Sequence, residues 1–150
     1  DVRGTLDWLS SKKIFSTLDL KDGFFQVMLA EESRPLTAVR TVMGLMQNRR
    51  LPQGLKNSPA TFQRIVNATL GDLKADTVSG YVDDISIGTI TVKEHLKVLR
   101  EVLSRIQKNG MKVNFLKCHF GKREVEVLGH EVTSLGLRQS AGHLESIRIL

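Results

Sequence analysis

The alternation of apolar and polar positions divides the chain into short units with clear punctuation. IFSTLDL, residues 14–20, is too short for an amphipathic helix and reads as a buried strand ending at Asp19, stopped by the breaker KDG. Between residues 31 and 54 no period is sustained, and the segment reads as an excursion of short strands and loops. NSPATFQRIVNATLG restores the helical period. Ser58 takes the N-cap, Pro59 the first helical position, and Gly71 the stop, with Phe62, Ile65, Val66, Thr69 and Leu70 on one face. TVSGYVDDISIGTI has two β-rich arms around a central Asp-Asp, a hairpin with both carboxylates at its tip. TVKEHLKVLREVLSRIQKNG opens with the capping box Thr91 to Glu94, turns Leu96, Leu99, Val102, Leu103 and Ile106 inward, and ends at Asn109-Gly110. MKVNF, EVEVLG and HEVTS read as short strands, the last two joined around Gly129.

Without the excursion, the order is strand, helix, strand, strand, helix, strand. This predicts an α+β fold, a split βαββαβ arrangement with an antiparallel sheet, two helices on one face and the other face open. In that order the first strand and the hairpin are sheet neighbours, which brings Asp19 towards Asp83 and Asp84. With 150 residues and 41% hydrophobic content, the chain supports one core and one domain. The net charge of +6, from 22 Lys and Arg against 16 Asp and Glu, suits a polyanionic partner. The single cysteine, Cys118, excludes an internal disulfide and fits a reducing, intracellular setting. No segment approaches the roughly 18 apolar residues of a membrane span, and no signal-peptide pattern opens the chain.

Asp is common in hairpin turns because its side chain bonds nearby backbone, so Asp83-Asp84 serves a turn as readily as a site. Three crowded carboxylates, however, raise one another's pKa unless cations neutralise them, and hard oxygen donors favour Mg²⁺ or Mn²⁺. His95, His119, His130, His143 and Cys118 show no zinc-ligand spacing.

Four motifs, FSTLDLKDGFFQVML, LPQGLKNSPATFQR, YVDD and GMKVNFLKCHFGKREVEVLGHEV, carry a resemblance over nearly the whole chain. In order and spacing it resembles the reverse transcriptase palm (RNA-directed DNA polymerase) of long-terminal-repeat retrotransposons and retroviruses. The ending, with Lys117, Cys118, Phe120, Val125, Leu128, Gly129 and His130, is similar to that of gypsy-like elements, and LPQG has the retroviral form. The resemblance implies Asp19 and Asp83 as metal ligands, with Asp84 as the hairpin's second acid. It also implies two Mg²⁺ or Mn²⁺ ions and in-line attack of a primer 3′-hydroxyl on the α-phosphate of a dNTP. Phe24 matches the family's steric gate against a ribose 2′-hydroxyl. Gln53, Gly54 and Tyr81 match its nucleotide and template contacts, Lys56 a phosphate or template contact, and Lys117 a lysine near the outgoing pyrophosphate. Leu128, Gly129 and His130 match the primer grip. Read without the resemblance, Phe24 fits a core, Gln53-Gly54 a plain turn, Lys56 and Lys117 a solvated surface, and VLGH an ordinary hairpin; Phe25 is assigned to the core.

Val39 stands where the family carries an aromatic, and MGLMQNRR replaces its tyrosine-acid-aromatic stretch, so this excursion is expected to pack or bind template differently. Only 18 residues precede Asp19, leaving the basic fingertip without a counterpart, and thumb, connection and ribonuclease H segments are likewise expected to be missing. The expected organisation is a single palm domain over 1–150. Residues 28–57 would be partial fingers, 58–136 the palm core with a primer-grip-like hairpin, and 137–150 the start of a following region. Two functions follow. One is metal-dependent nucleotidyl transfer from dNTPs on an RNA or DNA template-primer. The alternative is a domesticated or truncated domain, catalytically weak, that binds nucleic acid or a protein partner at the surface left by the missing thumb.

Overall fold

Strand β1, Ile14–Asp19, lies in the interior of the main sheet because both of its edges are paired. The computed structural model describes residues 2–74 and 77–139. Along the chain follow β2 (Val39–Thr41), β3 (Gly44–Met46), β4 (Val78–Tyr81), β5 (Asp84–Thr89), β6 (His119–Lys122), β7 (Glu124–Val127), β8 (His130–Thr133) and β9 (Gly136–Gln139). The helices are α1 (Val2–Ser10), α2 (Ser58–Leu70) and α3 (Val92–Lys108). The main sheet runs β4-β5-β1-β6; β2-β3 and β7-β8-β9 form two smaller sheets. Every ladder is antiparallel, as the α+β reading requires.

Successive residues of β1 point to opposite faces. Leu18 joins Ile85 and Ile87 of β5 in a core closed by Phe62, Val66 and Leu70 of α2 and by Val102 and Ile106 of α3. This is the two-helix face expected from the sequence. The opposite face is not open. Phe15 packs there with Leu6 and Leu9 of α1 and with Val125, Val127 and Val132 of β7 and β8. Gly88 of β5 permits this approach, since a Cβ there would lie 2.8 Å from a Leu9 methyl and 2.9 Å from the Trp8 ring. The end of the sheet carrying Asp19 and Asp84 borders clefts.

Several local expectations are corrected. Asn57, not Ser58, stands at the cap of α2, and the buried Ser58 hydroxyl instead donates to the Pro52 carbonyl at 2.7 Å, tying the helix to the loop before it. Gly71 does end that helix with φ 54. In α3 the inward face is rotated: Leu96 is 60% exposed, whereas His95 is 3% exposed. His95 is fully partnered, Nε2 with Ser16 Oγ at 2.7 Å and Nδ1 with Thr89 Oγ1 at 2.9 Å, and so links α3 to β1 and β5. The capping box forms in part: Thr91 Oγ1 accepts from the Glu94 amide at 3.2 Å, while the Glu94 carboxylate accepts from the Ile90 amide rather than from Thr91. MKVNF is no strand. It contributes one bridge, Leu20 to Val113, before a short 3₁₀ turn at Phe115–Lys117 and the edge strand β6. Phe25 is 45% exposed and not in the core. The excursion holds the β2–β3 hairpin together with a 3₁₀ segment, Glu31–Thr37, where Pro35 lies inside the turn. Residues 140–150, with His143 and most of the expected following region, lie outside the described residues. Among the described residues, no helix is long and apolar enough to cross a membrane.

Candidate active site

Register decides where the acids stand. β4 and β5 pair up to Tyr81 opposite Asp84, which leaves Val82 and Asp83 as a two-residue turn. β1 pairs with β5 on its other side, and the last pair is Asp19 opposite Asp84. Only Asp83 therefore sits at the tip expected for both acids, and Asp84 is the first residue of its strand. The Asp83 carbonyl accepts from the Leu20 amide at 2.9 Å, binding the turn to the end of β1.

The turn also has an unusual backbone. Val82 has φ 53, a left-handed conformation that costs a side-chain-bearing residue about 1–2 kcal/mol. Gly80, just before it, lies so close to α2 that a Cβ would be 2.7 Å from Val66 Cγ1 and 2.8 Å from Leu70 Cδ1. The helix thus presses on the hairpin immediately beside the acids.

Two clefts open at this end of the sheet. One, of about 500 Å³, is bordered by Asp19, Asp83, Phe24, Gln53 and Lys117. The other, of about 360 Å³, is bordered by Asp19, Asp84, Lys117, Glu126, Leu128 and Gly129. Asp19 and Lys117 belong to both. Lys117 Nζ lies 3.6 Å from Asp19 Oδ1, and the lysine is largely exposed. Burial first, and then the charges of Asp83 and Asp19, hold the Asp84 carboxyl above the ordinary carboxylate range, with Lys117 opposing. Desolvation is the larger cause, and the like charges of the two neighbouring aspartates add to it. The donors are hard carboxylate oxygens, chemically suited to Mg²⁺ or Mn²⁺. Among the described residues, however, no three side chains already converge as a closed ligand set.

The remaining sequence-nominated residues divide. Phe24 borders the larger cleft with its ring edge-on to Phe62, centroids 5.3 Å apart, so it serves the cleft and packs on the core at once. Gln53 borders the same cleft. Gly54 and Lys56 are exposed on the loop beyond it, and Tyr81 is half exposed on β4; these three border neither cleft. Leu128 and Gly129 form the β7–β8 turn with φ 51 and 77, a two-residue turn of the type favoured in hairpins, and face Asp84 across the smaller cleft. His130 stands behind them, its Nδ1 donating to the Leu128 carbonyl at 3.1 Å. Sequence reasoning missed Glu126 and His119, which border the smaller cleft, and Gln63 of α2, whose side chain bonds the turn backbone. No spacing along α2 could have found Gln63, because its partners are backbone groups 17 and 19 residues away.

The profile of the family described as reverse transcriptase (RNA-dependent DNA polymerase) matches residues 2–132. The retrovirus-related Pol polyprotein from transposon opus of Drosophila melanogaster is 38% identical over 98% of this chain and 15% of that protein. The Tf2-3 transposon polyprotein of Schizosaccharomyces pombe is 27% identical over 93% of this chain and 10% of its own length. The foamy viral protease-reverse transcriptase, solved in complex with double-stranded DNA, superposes with a TM-score of 0.90 at 33% identity, over 100% of this chain and 26% of that one. The same viral protein with an RNA/DNA hybrid gives a TM-score of 0.85, over 96% of this chain and 20% of that one. The chain thus spans about a quarter or less of these relatives.

Proposed function

The chain belongs to the reverse transcriptase family, and from that premise we propose that it is the palm of an RNA-directed DNA polymerase, with Asp19, Asp83 and Asp84 holding the catalytic cations. The observation that carries this reading is the register of Asp19 opposite Asp84, with the Asp83 backbone tied to Leu20, which brings the three aspartates to one end of the sheet beside two clefts. Two Mg²⁺ or Mn²⁺ ions held there would supply Lewis-acid activation and charge neutralisation for nucleotidyl transfer. Asp19 and Asp83 would serve the larger cleft, where the incoming dNTP would lie. Phe24 would limit room at the sugar's 2′ position, held rigid by its contact with Phe62, and Gln53 would fix the nucleotide's orientation. Lys117 would neutralise charge on the departing pyrophosphate. Asp84, with Leu128, Gly129 and His130, would hold the primer end in the smaller cleft, so that hydroxyl and α-phosphate meet in line. Gly54, Lys56 and Tyr81 would make outer contacts to template and nucleotide.

In this reading residues 28–57 are partial fingers and 58–136 the palm core, working inside the cell on RNA or DNA template-primer. A second reading, a catalytically weak module that binds nucleic acid or a protein partner, is favoured by one observation, that the acids do not form a closed ligand set among the described residues. Primer extension on an RNA template with Mg²⁺ or Mn²⁺ separates the two. The polymerase reading expects metal-dependent extension that Asp83→Asn lowers by at least about 100-fold. Nucleic acid bound equally by both proteins, with extension by neither, would favour the module.

A further inference from the structure

The Val82–Asp83 turn is held from outside the sheet by one side chain. Gln63 of α2 accepts from the Val82 amide through Oε1 at 2.7 Å and donates through Nε2 to the Gly80 carbonyl at 2.8 Å. Its Nε2 is also bound to Asn67 Oδ1 at 2.9 Å, one helical turn on, which fixes the orientation of the amide. The Val82 amide lies in the turn and has no part in the β4–β5 ladder, which ends at Tyr81 and Asp84. Without Gln63 the half-buried Val82 amide would lose its acceptor, and a β-branched residue at φ 53 is strained, so the turn would be free to relax to a negative φ. Relaxation would rotate the peptide that leads into Asp83. On the other side the Asp83 carbonyl is fixed to Leu20, so Gln63 and β1 grip the two halves of the turn.

We infer that Gln63 is a positioning residue: it holds Val82 in the left-handed conformation and thereby aims the Asp83 carboxylate into the larger cleft. This rests on the polymerase reading of that cleft. A shift of about 1 Å in a positioned group lowers turnover by roughly 100-fold, so removing the clamp should act on kcat more than on binding.

The test combines Gln63→Leu with Val82→Gly, because glycine adopts a positive φ without the steric cost a valine bears. In single-nucleotide incorporation by the full chain, Gln63→Leu is expected to lower kcat by about 10- to 100-fold with less than about a threefold change in KM. The double variant Gln63→Leu/Val82→Gly is expected to recover most of that loss. Gln63→Glu, which still accepts from Val82 but no longer donates to Gly80, should fall between. Amide hydrogen exchange of Val82 provides a readout that needs no catalysis: slow in the original chain and in Gln63→Glu, and at least about tenfold faster in Gln63→Leu. If the original chain incorporates nothing, the polymerase reading falls while Val82 exchange still decides the clamp. Unchanged Val82 exchange in Gln63→Leu, or a double variant as impaired in kcat as the single one, would overturn the inference.

Discussion

The β4–β5 and β2–β3 hairpins both carry large apolar residues in their strands and two-residue tips beginning with valine, yet they sit in different surroundings. In β4–β5, Val78, Ile85 and Ile87 are buried, the turn is bound to β1 and to α2, and the tip carries Asp83. In β2–β3, Val39, Leu45 and Met46 are exposed, Val42 and Met43 at the tip are open to solvent, and the turn is stabilised by Thr41 of the same hairpin. Hydrophobicity alone therefore does not decide burial. The first hairpin is buried because its register against β1 places it under α2 and α3, and rigidity at the acids comes from those neighbours.

The contrast breaks most severely if the anchor under the site is removed. Phe62→Ala, which empties a fully buried site beneath Phe24 and the first hairpin, should cost about 3–5 kcal/mol in urea unfolding. Gly80→Ala should cost about 1–3 kcal/mol, because its methyl would press on Val66 and Leu70 of α2. A smaller effect should come from His95, whose imidazole burial holds below its ordinary range. The unfolded chain then takes up the proton first, so this residue's stabilisation is complete above about pH 6.5 and is lost as pH falls from there towards the lower folded value. Urea midpoints taken from pH 5 to 8 should fall below that point in the original chain and less steeply in His95→Gln. Least of all, Val42→Ser at the tip of the second hairpin should change stability by under about 0.5 kcal/mol.

Much of the first hairpin's environment was legible in the sequence. The apolar period of α2, the strand ending at Asp19 and the two arms around Asp83-Asp84 each follow one strong local signal, and together they bring the three acids to one end of the sheet. Elements lacking such a signal escaped. α1 has nine residues with a glycine inside it, and the edge strand β6 reads HFGK, with little apolar period. β9 falls where a following region was expected. The apolar period of α3 points Leu96 inward with Leu99, Val102, Leu103 and Ile106, but the Ser16 and Thr89 hydroxyls make a buried place for His95, and Leu96 lies exposed. Gln63 was hidden for a related reason: its partners are backbone groups of a distant turn, which no spacing along the helix reveals. Polar side chains that bond backbone across the fold leave no periodic trace.

Whether Asp19, Asp83 and Asp84 act together on a divalent cation is decided by Mn²⁺ titration followed by electron paramagnetic resonance. Joint action gives saturable binding by the original chain that Asp19→Asn and Asp83→Asn each weaken by at least about tenfold, with the fold intact by circular dichroism. Mn²⁺ binding of equal strength in all three proteins would contradict it.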